Sequence, residues 1–275
     1  MTISELLAHA WASSGSLLCV GLDPEPTRYP ARYAGHASAT FEFCRDIVDA
    51  TADLVCAFKP QIAYFAAIGA EAQLERLIAH IRQAAPQVPV ILDAKRGDIG
   101  PTAEQYAREA FDRSGADAVT VSPYLCYDTI EPFVARGSVF ALCKTSNPGS
   151  NDLQALDVGG EPLYRRVARE LAVRFGGSGR LGLVVGATYP AELGDVRRAV
   201  GALPLLVPGI GAQGGDVAAV GQAMTASGGV VVNSSRAVLY ASAGNDFADA
   251  SRTVARDTRD ALAAVHAAVS GEFGH

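Results

Sequence analysis

The feature that most restricts the fold of this chain is an alternation. A short apolar, β-branched run is followed by a longer segment with helical spacing, and the pair recurs eight times at intervals of roughly thirty residues. The runs lie at 16–23, 54–60, from Pro89 into a charged stretch at 93, then at 118–122, 138–145, 181–187, 205–209 and 229–233. Helical segments are expected at 40–52, 63–85, 102–114, 129–136, 162–175, 190–200 and 247–269, and the glycine-rich loop ending at Asp216 runs into another. Strands that read as continuous apolar runs are covered on both faces, which is the condition of a parallel sheet wrapped by helices. Eight such units predict a closed (β/α)8 TIM barrel of the α/β class. It would form a single domain over 1–275, with an N-terminal helix at about 3–12 and a short frayed tail after 269. The competing architecture is an open doubly wound sheet, which calls for a glycine-rich fingerprint after the first strand; Gly21-Leu-Asp-Pro-Glu-Pro does not supply one.

Composition narrows the function classes. The chain has 275 residues, 49 % of them hydrophobic and 19 % charged, with a net charge of −6, which fits a globular protein able to bury a sizeable core. An acidic balance with no basic stripe argues against nucleic acid as a partner, so an anionic ligand needs a local positive cluster. Cys19, Cys44, Cys56, Cys126 and Cys143 are scattered and odd in number, without Cys-x-x-Cys spacing, and read as reduced core thiols of a cytoplasmic protein. The first eleven residues form a short amphipathic helix with neither the positive start nor the long apolar core of a signal peptide. No apolar run is long enough for a membrane span.

Chemistry collects where the third run ends. Ile91-Leu-Asp-Ala-Lys-Arg-Gly-Asp-Ile-Gly-Pro-Thr102 sets Asp93 and Lys95 on one side of a strand and Asp98 a glycine later, just before a helix that Pro101 can open at its first position. Buried charges are costly unless paired, so an acid–base–acid run at a strand end points to a site, against the plainer alternative of a solvated salt bridge. Asp23, Lys59, Ser146, Gln213 and Arg236 also stand at or just beyond strand ends, where a barrel carries its active site. Each alone reads as a solvated strand terminus; together, from different strands, they should converge on one mouth.

The loops after the seventh and eighth strands carry an anion signature. Val207-Pro-Gly-Ile-Gly-Ala-Gln-Gly-Gly-Asp216 offers free backbone N–H groups, including those at Gly211 and Gly214, and Val232-Asn-Ser-Ser-Arg236 places a guanidinium beyond the eighth strand. Taken singly, each glycine marks a tight turn; the pair of loops occupies the recurrent phosphate site of this architecture.

Asp93-Ala-Lys-Arg-Gly-Asp-Ile-Gly-x-Thr resembles the signature of the orotidine 5'-monophosphate decarboxylase family, in particular its longer-chain bacterial subfamily (type 2), and the resemblance spans essentially the whole chain. It implies that Asp23 and Lys59 bind the ribose, that Asp93, Lys95 and Asp98 are the catalytic cluster with Lys59, and that Ser146 contacts the pyrimidine. It further implies that Gln213 and Arg236 grip the phosphate. It implies a homodimer in which Asp98 and Thr102 reach into the neighbouring site, and a reaction that needs neither metal nor organic cofactor. Lys95 would stabilise the C6 carbanion left by CO2 and protonate it, with Asp93 and Asp98 flanking it. Arg28, Lys144 and Tyr189 lie near the mouth without an assigned role. Two other readings stay open: a Mg2+-dependent sugar-phosphate decarboxylase or aldolase on a related barrel sharing Asp-x-Lys-x-x-Asp, and a non-catalytic barrel that binds a phosphorylated ligand.

Overall fold

In the computed structural model, residues 1–210, 217–226 and 229–272 are described. Eight parallel strands, β1 (Leu18–Leu22), β2 (Ala57–Pro60), β3 (Ile91–Arg96), β4 (Ala118–Val121), β5 (Ser138–Lys144), β6 (Leu181–Val185), β7 (Leu205–Pro208) and β8 (Val230–Ser234), run in the order β2-β1-β8-β7-β6-β5-β4-β3. The circle closes between β2 and β3 through parallel bridges Phe58↔Val90 and Gln61↔Asp93. With helices between the strands, this is the (β/α)8 barrel expected from the eightfold alternation.

Strand parity explains the inside of the barrel. Side chains two apart share a face, so Cys19, Ala57, Ile91, Ala118, Phe140, Val184, Leu206 and Val231 point inward and form a small apolar cluster of their own. The opposite parity faces the helices and builds the larger core, with Leu18, Val20, Phe58, Leu92 and Val119 among its members. One step further along the same inward parity, apolar residues give way to Lys59, Asp93, Thr120 and Asn233, all buried. The polar layer is therefore the top of the barrel interior, its inward facing set by the strand period.

The floor is closed by α1 (Ile3–Ser14), whose fully buried Ile3 and Leu7, with Ala10, pack onto the inward cluster. Its start is fixed by a capping box between Thr2 and Glu5, and Gly15 in the left-handed conformation ends it two residues later than the spacing predicted.

The segment at 63–85 is not one helix but two, α2 being Ala39–Thr51, α3 Ile62–Ala66 and α4 Glu71–Ala84. Gly69, at φ 65, takes a backbone conformation that stops α3, and the chain turns before α4 begins. The helix after the charged motif, α5 (Gly100–Arg108), has Pro101 at its second position and runs into a π-helical turn at Glu109–Arg113. Then follow α6 (Glu131–Arg136), α7 (Leu163–Phe175), α8 (Pro190–Val200), a short α9 (Val217–Val220) and α10 (Arg236–Leu239). The last helix, α11 (Phe247–Glu272), continues past 269, where a frayed tail was expected. Among the described residues no helix is long and apolar enough to cross a membrane. Cys19, Cys44, Cys56 and Cys143 are buried as expected, but Cys126 is exposed, because it sits in the turn after β4 rather than in a strand.

Candidate active site

The carboxyl ends of the strands enclose a cavity of about 430 Å3 lined by Asp23, Lys59, Asp93, Lys95, Ser146 and Arg236, together with Gln61, Tyr64, Thr120, Asn147, Asn233 and Ser235. Six residues singled out from sequence thus share one mouth, although they come from five different strands or the loops after them.

Asp93 is the centre of the charged layer. Its Oδ2 accepts a hydrogen bond from Lys59 Nζ at 2.7 Å, and its Oδ1 accepts from Lys95 Nζ at 2.6 Å and from Thr120 Oγ1 at 2.9 Å. Thr120 Oγ1 in turn accepts from the backbone N–H groups of Ala94 and Lys95 at 3.0 and 2.9 Å. These bonds hold the strand end at Lys95, whose φ of 47° is rare for a residue with a side chain and turns its ammonium back over Asp93.

The two lysines differ in setting: the Lys59 side chain is 5 % exposed and that of Lys95 is 48 % exposed. Burial alone would raise the Asp93 pKa, but the two ammonium groups outweigh it and hold the carboxyl well below the usual range. Burial pulls Lys59 down, yet Asp93 and the nearby Asp23 more than reverse this and hold it above the ordinary lysine value. The array is a preformed set of fixed charges whose Lys59–Asp93 half is buried, where such charges act more strongly than in water.

Asp23 lies at the rim, beyond β1. Among the described residues its buried Oδ1 has no hydrogen-bond partner, which is unusual for a carboxylate oxygen and suits a ligand hydroxyl. The loop that carries it is pinned by Tyr240, whose hydroxyl donates to the Asp23 carbonyl at 3.0 Å and accepts from Glu25 N–H at 2.7 Å. Gly21, just below, has no alternative: a Cβ there would lie 1.8 Å from Ser235 Oγ. Arg236 opens α10 immediately after β8 and faces the cavity from the side opposite the β3 and β4 ends.

Two expected members are elsewhere. Asp98 and Thr102 do not line the cavity of their own chain; Asp98 Oδ1 accepts the N–H of Ile99 at 2.8 Å, and Thr102 is exposed on the first turn of α5. The resemblance assigns both to a neighbouring subunit's site; within this chain, Gly97 and Asp98 leave the strand and carry the carboxylate off the inward face. Gln213, Gly211 and Gly214 lie outside the described residues. Sequence reasoning missed Thr120, Gln61, Tyr64 and Asn233. The signal was present in Thr120, a hydroxyl inside the otherwise apolar Ala118-Val-Thr-Val121, and absent for Tyr64, which reads as one more helix residue.

A (β/α)8 barrel whose upper interior layer is a Lys–Asp–Lys array, faced by an arginine beyond the eighth strand, defines a barrel enzyme with its active site at the carboxyl ends of the strands. The family model described as "Orotidine 5'-phosphate decarboxylase / HUMPS family" matches residues 16–260. The chain belongs to this family. It is 62 % identical over 260 residues to the orotidine 5'-phosphate decarboxylase of Azoarcus sp. (strain BH72), covering 93 % of this chain and 96 % of the relative. It is 60 % identical over 266 residues to that of Dechloromonas aromatica (strain RCB), covering 95 % and 98 %. The solved OMP decarboxylase of Leishmania donovani superimposes with a TM-score of 0.81 at 37 % identity, covering 97 % of this chain and 99 % of that one.

Proposed function

We propose that this site removes CO2 from orotidine 5'-monophosphate to give uridine 5'-monophosphate, the last step of de novo pyrimidine nucleotide synthesis. The bond from C6 to the carboxyl group breaks with its electron pair left on C6, in an orbital the ring cannot delocalise. Lys95 Nζ lies over that carbon as a fixed positive charge and then donates the proton that replaces CO2. Asp93 keeps Lys95 charged and aimed, and Lys59 holds Asp93 from behind. The observation that carries this reading is the array at one side of the cavity, with 2.6 and 2.7 Å contacts around Asp93, and Arg236 at the other.

In the bound complex Asp23 and Lys59 hold the ribose, Ser146 the pyrimidine, and Arg236 with Gln213 and the backbone at Gly211 and Gly214 the phosphate. The substrate's remote phosphate is gripped in ground and transition state alike, and its binding energy serves to assemble the site. Asp98 and Thr102, displaced from their own cavity, belong to the site of a second copy in a homodimer, and the enzyme works in the cytoplasm. No cofactor takes part. A metal-dependent reaction on a related barrel is the rival reading, favoured only by the shared Asp-x-Lys-x-x-Asp run.

The deciding experiment incubates the purified protein with orotidine 5'-monophosphate and EDTA and follows the orotate absorbance. Undiminished decay in EDTA is the expected result. Absence of decay without chelator overturns the assignment, and loss of activity only with EDTA transfers it to the metal-dependent reading.

A further inference from the structure

A second buried lysine stands apart from the charged array. Lys144, at the end of β5, is fully buried, and among the described residues its partners are neutral. Its Nζ donates to Ser150 Oγ at 2.7 Å and to Asn151 Oδ1 at 2.6 Å, and lies 4.4 Å from the centre of the Tyr189 ring. Strand parity would send this side chain into the barrel beside Leu142. Instead the β5–β6 register slips between Leu142 and Lys144, and Lys144 is not among the residues lining the cavity. A bulge of this kind re-aims a side chain.

Burying an ammonium on neutral partners costs free energy, and an apolar residue of the same volume would usually stabilise such a position at least as well. Stability alone therefore does not account for Lys144. What the ammonium does is geometric. Ser150 and Asn151 belong to the loop after β5, and Tyr189 to the loop after β6, so one charge ties two loops together.

Between those anchors lie the cavity residues Ser146 and Asn147. Ser146 is seated hard against Gly186, where a Cβ would fall 2.9 Å from Ser146 Cα, and the Gly186 N–H donates to the Lys144 carbonyl at 2.8 Å. Asn147 is held from the same loop, its carbonyl accepting from Ser150 N–H at 3.0 Å and its Oδ1 from Thr145 Oγ1 at 2.7 Å.

We propose that Lys144 is the positioning residue that sets the base-recognition edge of the cavity, fixing Ser146 and Asn147 at the height of the pyrimidine while leaving the phosphoribosyl subsite untouched. This rests on the reading of the site as an orotidine 5'-monophosphate decarboxylase with Ser146 on the base. Asp23, Lys59 and Arg236 come from other strands and none of them is among the three Lys144 contacts. Removal of the ammonium should thus weaken ligands only insofar as they carry a base.

The test compares uridine 5'-monophosphate with ribose 5-phosphate, the same ligand without its base, on wild type, Lys144→Met and the loop variant Ser150→Ala/Asn151→Ala. The loop variant removes the acceptors and keeps the lysine, so a failure of Lys144→Met to fold leaves the question answerable. Loss of two charge-assisted hydrogen bonds from the loop should weaken the nucleotide about tenfold or more, with ribose 5-phosphate changed by less than about twofold. For turnover, KM should rise by a similar factor while kcat stays within about threefold. Equal weakening of both ligands, or none, overturns the proposal. Ser146→Ala, measured alongside, separates the two levels: base-selective loss there, without it in either Lys144 or loop variant, refutes the role of Lys144 alone. A wild type that leaves orotidine 5'-monophosphate unchanged refutes the reading of the site and this inference with it.

Discussion

The floor and the mouth of this barrel are built from the same strands on the same face, one step apart. Ala57 and Lys59, Ile91 and Asp93, Ala118 and Thr120, and Val231 and Asn233 are neighbours of equal parity, and the first of each pair belongs to the apolar cluster that α1 closes while the second lines the cavity. At the floor, burial is dispersive and hydrophobic, and Ile3 and Leu7 seal it. At the mouth, burial of charge in the array is tolerated because Lys59, Asp93 and Lys95 pair at hydrogen-bond distance, Asp93 serving both lysines. The difference teaches that a barrel can separate stability from chemistry along a single strand. The floor contributes free energy of folding; the mouth spends some of it to hold charges where solvent would otherwise disperse them.

Substitutions at the two levels should therefore fail in different ways. Lys95→Ala removes both the charge at the reacting carbon and the proton donor, so kcat/KM should fall by about 10^4-fold or more. Because Lys95 is half exposed, unfolding free energy should move by less than about 1 kcal/mol, as chemical denaturation will show. A full rate in that variant would break the separation at its most active point.

Lys59→Met should damage both properties. It removes the buried partner of Asp93 while Lys95 and Thr120 remain, so a stability loss of about 3 kcal/mol is expected beside a large fall in kcat/KM. Leu7→Ala, at the fully buried floor, should cost about 2–5 kcal/mol with kcat/KM per folded molecule unchanged within about twofold. Measured turnover that follows the floor substitution would show that the levels are coupled.

The pH profile sharpens the contrast. Asp93 titrates below its ordinary 3.8, so its contribution is present above that value and is lost only as pH falls through the depressed folded value. Lys59 titrates above its ordinary 10.5, so its contribution is complete below that value and is lost as pH rises through the elevated one. No inflection from this pair is expected in either stability or kcat/KM between about pH 5 and 9. The smallest effect concerns the thiols. Burial pushes Cys19 and Cys143 up to about 12, and Cys44 and Cys56 are also raised by burial, so a thiol reagent at neutral pH should modify only Cys126 rapidly in the native chain. Rapid reaction at Cys19 or Cys56 would reveal that the floor opens.

Much of this was legible because its causes are local. A period of two within short apolar runs and a period near 3.6 between them specify strands and helices without reference to distant residues, and eight repeats leave little but a barrel. The same parity marks Lys59, Asp93 and Lys95 as inward-facing strand-end residues, and the alternation of their charges as a paired set. What failed to be legible depended on single backbone angles or on neighbours far along the chain. The break at Gly69 that divides α3 from α4 is a positive φ inside an otherwise helical pattern. Thr120 bonds Asp93 across 27 residues, and only the pairing of β3 with β4 brings them together.

By itself, then, the chain's sequence determined which residues face inward and which inward positions carry charge, since both follow from backbone periodicity and residue type. Only the tertiary structure decided their height and bearing around the mouth. Closure of β2 onto β3 sets Lys59 against Asp93, the slip between β5 and β6 takes Lys144 out of the cavity and under two loops, and the chain's departure after Arg96 carries Asp98 away from its own site. Register and closure join segments distant in the chain, and no local period encodes them.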